Sequence, residues 1–156
     1  MPVFRVKPLG WKDLVDILFL LLLGSFMVVL ATRSPCLSND PLTEASVARH
    51  IIHGHGDVSD VTAPSLLREG EKGPFSWWGG HDLWICGLSL TFSIFGISDL
   101  AILVPSIVSY FLSVVCLYIF TRALVSRFLA VIMCSVFAIN SSIVGFVAQG
   151  LTEPFT

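Results

Sequence analysis

Long stretches without a charged residue constrain this 156-residue chain more than any other feature. They cover residues 17–32, 83–98, 100–121 and 128–152. A helix needs about 20 apolar residues to cross the ~30 Å hydrocarbon core of a bilayer, where only helices and closed barrels satisfy their backbone hydrogen bonds. Apolar residues make up 54% of the chain and charged residues 13%, about half the charge of a soluble domain. The sequence therefore predicts an all-α integral membrane protein built as a helical bundle.

The first predicted transmembrane helix covers residues 14–32 and follows a short segment, 1–13, that contains three basic residues. Its apolar run is longer than the roughly 7–15 residues of a signal-peptide core, and no clear cleavage site follows. We therefore expect an uncleaved helix with its N-terminus in the cytoplasm, because positive charge marks that side. Asp13 and Asp16 stand at its start, where we expect their carboxylates to reach the interface. The identity of the membrane, whether plasma or inner membrane or endoplasmic reticulum, stays open.

The only long polar segment, residues 33–82, is predicted to be an outer loop. Within it, Asp40 and Pro41 suit the N-cap and first position of a helix. Apolar side chains recur at helical spacing after them, and Gly54 is expected to end the helix. The sequence thus predicts an amphipathic helix over 41–53 that lies along the membrane surface.

The short run 83–98 decides the predicted topology, because 16 residues cover only about 24 Å as a helix. The connection 122–127 contains two arginines and no acid, as cytoplasmic loops do. A full crossing by 83–98 would place that connection outside. We therefore expect 83–98 to be a juxtamembrane or re-entrant helix, and only 14–32, 100–121 and 128–152 to span the bilayer. Residues 153–156 then begin a second outer loop.

Two acids, Asp40 and Glu153, are the candidate catalytic residues. The predicted topology puts both on the outer side, where an ionised side chain beside lipid is costly unless it is paired or used. Such a pair suits a general base or a divalent-cation site, with Asp40 as the candidate metal ligand. The alternative is that Asp40 only caps its helix and Glu153 only marks where the last helix meets water.

Several other polar residues have both a functional and an ordinary interpretation. Arg49 suits a phosphate or a nearby acid, and the histidines of the amphipathic helix suit either a metal or the helix end. Polar residues of the last span suggest interhelical hydrogen bonds. The candidates for a substrate groove, or for an anchor at the interface, are Trp78, His81 and Asp82. The histidines are His50, His53 and His55, and the polar residues of the last span are Asn140, Ser141, Ser142 and Gln149.

The net charge of −2 and the absence of a basic excess argue against a nucleic-acid partner. The sequence also lacks a GxxxxGK[ST], a GxGxxG and a GxSxG motif. Its four cysteines form no CxxC or Cys/His zinc spacing.

Three stretches together resemble the start of a GT-C membrane glycosyltransferase. Residues 39–57, with an acid, a short helix, an arginine nine residues on and a glycine-containing exit, resemble the first outer loop of that family. Residues 77–96, which end in Phe-Gly, resemble its juxtamembrane helix. Residues 105–154 resemble the next two spans and the second outer acid. Since such enzymes usually have several hundred residues, the resemblance implies that this chain is an N-terminal portion.

The resemblance implies transfer of a sugar from a polyprenyl-phosphate donor, with inversion at C1 and the lipid phosphate as leaving group. Asp40 would activate or orient the acceptor, or hold a divalent cation, and Glu153 would position donor or acceptor. Arg49 would offset phosphate charge. The partners implied are the donor and membrane lipids, and the acceptor stays open. The competing hypotheses are a non-catalytic scaffold or accessory subunit and a transporter fragment.

Overall fold

The computed structural model describes residues 9–33, 39–54 and 82–150, and for residues 39–41, 43, 82 and 83 it describes the backbone only. Of the described residues 87% are helical and none is in a strand. Six helices follow one another: α1 (Trp11–Ala31), α2 (Asn39–Ile52), α3 (Asp82–Phe95), α4 (Asp99–Leu124), α5 (Arg127–Ala138) and α6 (Ser141–Gln149). The predicted all-α class is confirmed for this part of the chain.

Two of these helices, α1 and α4, are long and apolar enough to cross a membrane, and α5 with α6 makes a third if the bent pair is one span. Only 22% of the apolar window of α1 and 33% of that of α4 is buried inside the protein. The large side chains that these two helices leave exposed are apolar, among them Phe19, Leu22, Phe26, Val108, Leu112 and Phe120. An apolar outer surface of this kind suits lipid, not water.

The predicted single helix over 128–152 is wrong in one respect, because α5 and α6 meet at a bend of 47°. At the end of α5, the backbone N–H of Asn140 donates a hydrogen bond to the Phe137 carbonyl at 3.2 Å. The Asn140 side-chain oxygen then accepts from the backbone N–H groups of Ser142 at 3.0 Å and Ile143 at 3.3 Å. Asn140 therefore caps α6, whereas the sequence had suggested an interhelical bond.

Replacing Asn140 with alanine is expected to lower the free energy of unfolding by about 1 kcal/mol, the usual cost of losing an N-cap. Asn140→Ser keeps a side-chain oxygen in reach of the same N–H groups and should lose much less. Thermal unfolding followed by circular dichroism in detergent compares the two. An equal loss for both variants would mean that capping is not what Asn140 contributes.

The described residues form two compact units. The first contains α1, residues 108–124 of α4, α5 and the start of α6; the second contains α2, α3, residues 99–107 of α4 and the end of α6.

In the second unit, α2 packs against α3 through a stripe of small side chains. Ala45, Val47 and Ala48 are buried against Leu88 and Phe92 of α3. Leu42 and Ile51, which the helical spacing also assigns to the apolar face, are 39% and 40% exposed. The amphipathic helix therefore exists, but its buried face is narrower and is covered by another helix.

A glycine terminates each of the helices α2 and α3. Gly54 has φ +74° and its N–H donates to the Ile51 carbonyl at 3.0 Å, and Gly96 has φ +78° and donates to Phe92 at 3.0 Å. Glycine adopts this left-handed conformation without a steric penalty. The start of α2 differs from the prediction: the helix begins at Asn39, so Asp40 lies in its first turn and is not its N-cap.

Candidate functional site

Of the six predicted catalytic and binding residues, the structure describes the backbone of three and the side chain of one, Arg49. Asp40 and Asp82 are placed by their backbone, in the first turn of α2 and at the first position of α3. Arg49 is exposed in the last turn of α2 and has an interaction partner. The other three, Trp78, His81 and Glu153, are outside the described residues. The assignment of these six residues to a site therefore stays a prediction.

The predicted metal site also stays a prediction, because part of it lies outside the described residues. His50 belongs to α2 and His53 follows its end, whereas His55 is outside the described residues, as is the side chain of Asp40. Among the described residues, no group of three or more His, Cys, Asp or Glu side chains lies close enough to hold a metal ion.

Charged and polar side chains converge elsewhere, at one end of the first unit. Two acids of α1 meet residues of α4 and α5 more than a hundred positions later in the chain. We call this the ion network; its members are Asp13, Asp16, Tyr118, Arg122 and Arg127.

Each carboxylate of the ion network has its own arginine. Arg122 donates from Nε to Asp13 Oδ1 at 3.0 Å. Arg127 is bidentate on Asp16, with Nε donating to Oδ2 at 2.5 Å and Nη2 to Oδ1 at 2.6 Å. A planar guanidinium matches a carboxylate in this arrangement, and charge-assisted bonds of this kind are the strong ones.

A single tyrosine hydroxyl lies between the two acids. Tyr118 Oη is 2.8 Å from Asp16 Oδ2 and 3.0 Å from Asp13 Oδ1, and the tyrosine is wholly buried. Because a phenol has one proton to donate, the two carboxylates share it. The remaining oxygen of Asp13 accepts the N–H of Gly10 at 2.8 Å. The buried carboxylates are thus hydrogen-bonded, which offsets much of the cost of removing them from water.

Local sequence explains how the ion network is presented. Asp13 and Asp16 are three residues apart and Tyr118 and Arg122 are four apart, so each pair lies on one face of its helix. Arg127 is the first residue of α5, after a connection of only two residues, in which Ser126 caps the helix through a 3.5 Å contact with Leu129 N–H. The short connection brings both arginines to the same end of α1.

Asp13 and Asp16 are buried within the protein, against residues of α4 and α5, so their carboxylates are held by side chains of the chain itself. The expectation that they lie near the membrane interface stays a prediction. Two signals in the sequence suggested their true partners: two acids on one face of the first helix, and two arginines without an acid between the later helices. Two carboxylates and two arginines balance each other's charge in the ion network.

Farther along α1, the helices approach closely. A Cβ atom on Gly24 would lie 2.9 Å from Tyr110 Oη, and that hydroxyl donates to the Ala138 carbonyl of α5 at 2.7 Å. Together with the ion network, these contacts make α1 antiparallel to α4 and parallel to α5. Thr121 of α4 and Cys134 of α5 lie 3.5 Å apart at Oγ1 and Sγ.

Comparison with known proteins identifies no relative: no protein-family model, no curated protein and no solved structure matches the chain. Within residues 9–33, 39–54 and 82–150, the structure shows helices, of which two, or three with the bent pair, are suited to crossing a membrane.

Proposed function

We propose that the chain is the N-terminal part of a membrane glycosyltransferase that transfers a sugar from a polyprenyl-phosphate donor to an acceptor on the outer or lumenal side. Two arguments support the proposal. One is the residue pattern that resembles the GT-C family. The other is the antiparallel arrangement of α1 and α4 in the first unit, which agrees with the predicted topology if both helices span.

The observation in the structure that bears on the proposal is the ion network, which supports the topology that the proposal requires. It joins the N-terminal end of α1 to the C-terminal end of α4 and the first residue of α5. If α1 and α4 both span, they cross in opposite directions, so the chain between them makes no net crossing. With 14 residues, α3 covers only about 21 Å, too short to span on its own. This supports the juxtamembrane role proposed for it.

The same geometry bears on the two acids. Both α1 and α5 begin on the side of the membrane where the ion network lies. Asp40 follows α1 in the sequence, and Glu153 follows α6. If α1 spans, and if α5 and α6 together form the third span, both acids come after a crossing to the opposite side. Lys12, Arg122 and Arg127 concentrate positive charge at that network, which favours the cytoplasm for it. Asp40 and Glu153 are then both on the outer side. A lipid-linked donor presents its head group at the membrane interface, so catalytic acids of such an enzyme belong there.

The proposed chemistry is a single displacement at C1 of the donor sugar. An acceptor atom attacks C1, the bond from C1 to the phosphate oxygen breaks, and the polyprenyl phosphate leaves. Asp40 would take the acceptor's proton or orient the acceptor, and Glu153 would position one of the substrates. Arg49 would interact with the donor phosphate, whose negative charge grows as the bond breaks.

Asp40→Asn, made in the longer enzyme that the proposal implies, is expected to lower transfer from a polyprenyl-phosphate sugar by about a hundredfold or more, as loss of a general base does. Glu153→Gln in the same enzyme is expected to lower transfer as well, because a group that positions a substrate is lost. Asp99→Asn is the matched control, since Asp99 is an exposed acid at the start of α4 and should tolerate the change. Full transfer by both site variants would contradict the catalytic assignment and favour a scaffold.

Cysteine labelling in a cysteine-free background tests the proposed topology separately. Ser126→Cys, in the connection between α4 and α5, is expected to react with an impermeant maleimide only from the cytoplasmic side. Ser59→Cys, in the segment after α2, is expected to react only from the outer side. Labelling of both positions from the same side would show that the segment between α1 and α4 crosses the membrane.

A further inference from the structure

In the ion network, the acidic side chains are buried and the basic side chains are more exposed. The Asp13 and Asp16 side chains are 9% and 11% exposed, whereas Arg122 and Arg127 are 23% and 41% exposed. A neighbouring molecule therefore meets more of the arginine side chains than of the two aspartate side chains.

A third basic residue, Lys12, adjoins Arg127 through its backbone. Arg127 Nη2 donates to the backbone carbonyl of Lys12 at 3.2 Å, and Lys12 itself is exposed. We call Lys12, Arg122 and Arg127 the basic edge. Against the two buried carboxylates these three cations leave one positive charge, and it is on the exposed side.

Exposed aromatic residues flank the basic edge and indicate its depth in the membrane. Trp11, which precedes Lys12, is 71% exposed, and Phe128, which follows Arg127, is 76% exposed. Tryptophan is enriched where the hydrocarbon core meets the head groups. Lysine and arginine beside such residues lie at the level of the lipid phosphates.

We propose that the basic edge binds the phosphate of an anionic phospholipid. A guanidinium and an ammonium together suit a phosphate ester, and basic residues at the ends of transmembrane helices attract anionic lipids. A zwitterionic lipid has the same phosphate but adds a cation, so the net positive charge of the edge should discriminate against it. This proposal does not depend on the glycosyltransferase activity.

The test uses the full chain in bilayers that contain phosphatidylcholine and phosphatidylglycerol, with native mass spectrometry to count each lipid retained. Wild type is expected to retain phosphatidylglycerol preferentially. Lys12→Gln, which removes no side chain of the ion network, should reduce that preference about fivefold, the effect of one interfacial cation. Lys12→Arg should keep it. The matched control is Arg33→Gln, which removes an exposed cation just beyond the other end of α1.

Three outcomes would overturn the proposal. The first is equal retention of the two lipids by wild type. The second is an equal loss of the preference for phosphatidylglycerol in Lys12→Gln and Arg33→Gln. The third is a loss of that preference in Lys12→Arg as large as in Lys12→Gln. The thermal midpoint of each variant is measured in parallel, and an unchanged midpoint for Lys12→Gln separates lipid binding from folding. Because the readout is bound lipid, failure here would leave the enzymatic proposal untouched.

Discussion

Replacing Asp16 with arginine is expected to prevent α1 from assembling with α4 and α5. The substitution removes the partner of a bidentate pair and sets a third guanidinium beside Arg122 and Arg127. The loss of its partner leaves the Arg127 guanidinium unpaired, and the repulsion between the three cations adds to that cost. The fraction of correctly assembled protein should fall by about tenfold or more, since charge-assisted hydrogen bonds are lost and like charges are brought together. The measurement is the yield of monodisperse protein after detergent extraction, with the thermal midpoint of what remains.

The reciprocal variant Asp16→Arg with Arg127→Asp is the decisive companion to this experiment. It restores one acid and one arginine at the same contact, so a substantial part of the yield should return. Asp99→Arg is the matched control, because Asp99 is exposed at the start of α4 and its charge reversal should have little effect. If the reciprocal variant is as poor as Asp16→Arg alone, the pairing does not stabilise the first unit as we infer.

Replacing Gly24 with alanine is expected to destabilise the first unit by about 1–3 kcal/mol, although alanine usually stabilises a helix interior. The new Cβ would lie 2.9 Å from Tyr110 Oη, 3.0 Å from Tyr110 Cε1 and 3.3 Å from Phe111 Cε1. Tyr110 cannot easily move away, because it is wholly buried and its hydroxyl donates to Ala138. Gly24→Val should cost more than Gly24→Ala. Thermal unfolding in detergent measures the order.

Gly145 supplies the matched control within the same chain. It also lies in a helix, α6, but a Cβ there would meet nothing within 4 Å. Gly145→Ala should therefore leave stability unchanged or raise it by about 0.5–1 kcal/mol, through the lower entropy of the unfolded chain. If the two glycine variants changed stability in the same direction, the close approach of α1 to Tyr110 would not limit the packing.

Much of the secondary structure was predictable because its causes are local. The uncharged runs predicted α1, α3 and α4 close to where the structure has them. Gly54 and Gly96 end helices because each takes a left-handed conformation. The bend at Asn140 was missed because a run of 25 uncharged residues hides a capping residue that interrupts no hydropathy pattern.

The candidate site was less accessible to the same reasoning. The sequence singled out Asp40 and Glu153 as acids next to apolar segments, but their relation depends on residues whose side chains the structure does not describe. Asp13 and Asp16 received the ordinary interpretation of charges near an interface. Their partners are far along the chain, and no periodicity within one helix predicts which faces of two helices will meet.

By itself, then, the sequence determined that the chain is helical, that α1 and α4 are suited to a membrane, and where several helices end. Hydropathy and glycine conformation suffice for that, because both act over a few neighbouring residues. Only the tertiary structure decided that Asp13 and Asp16 are neutralised by Arg122 and Arg127 around Tyr118. Such pairing depends on the relative height and rotation of three helices, which packing at positions such as Gly24 determines.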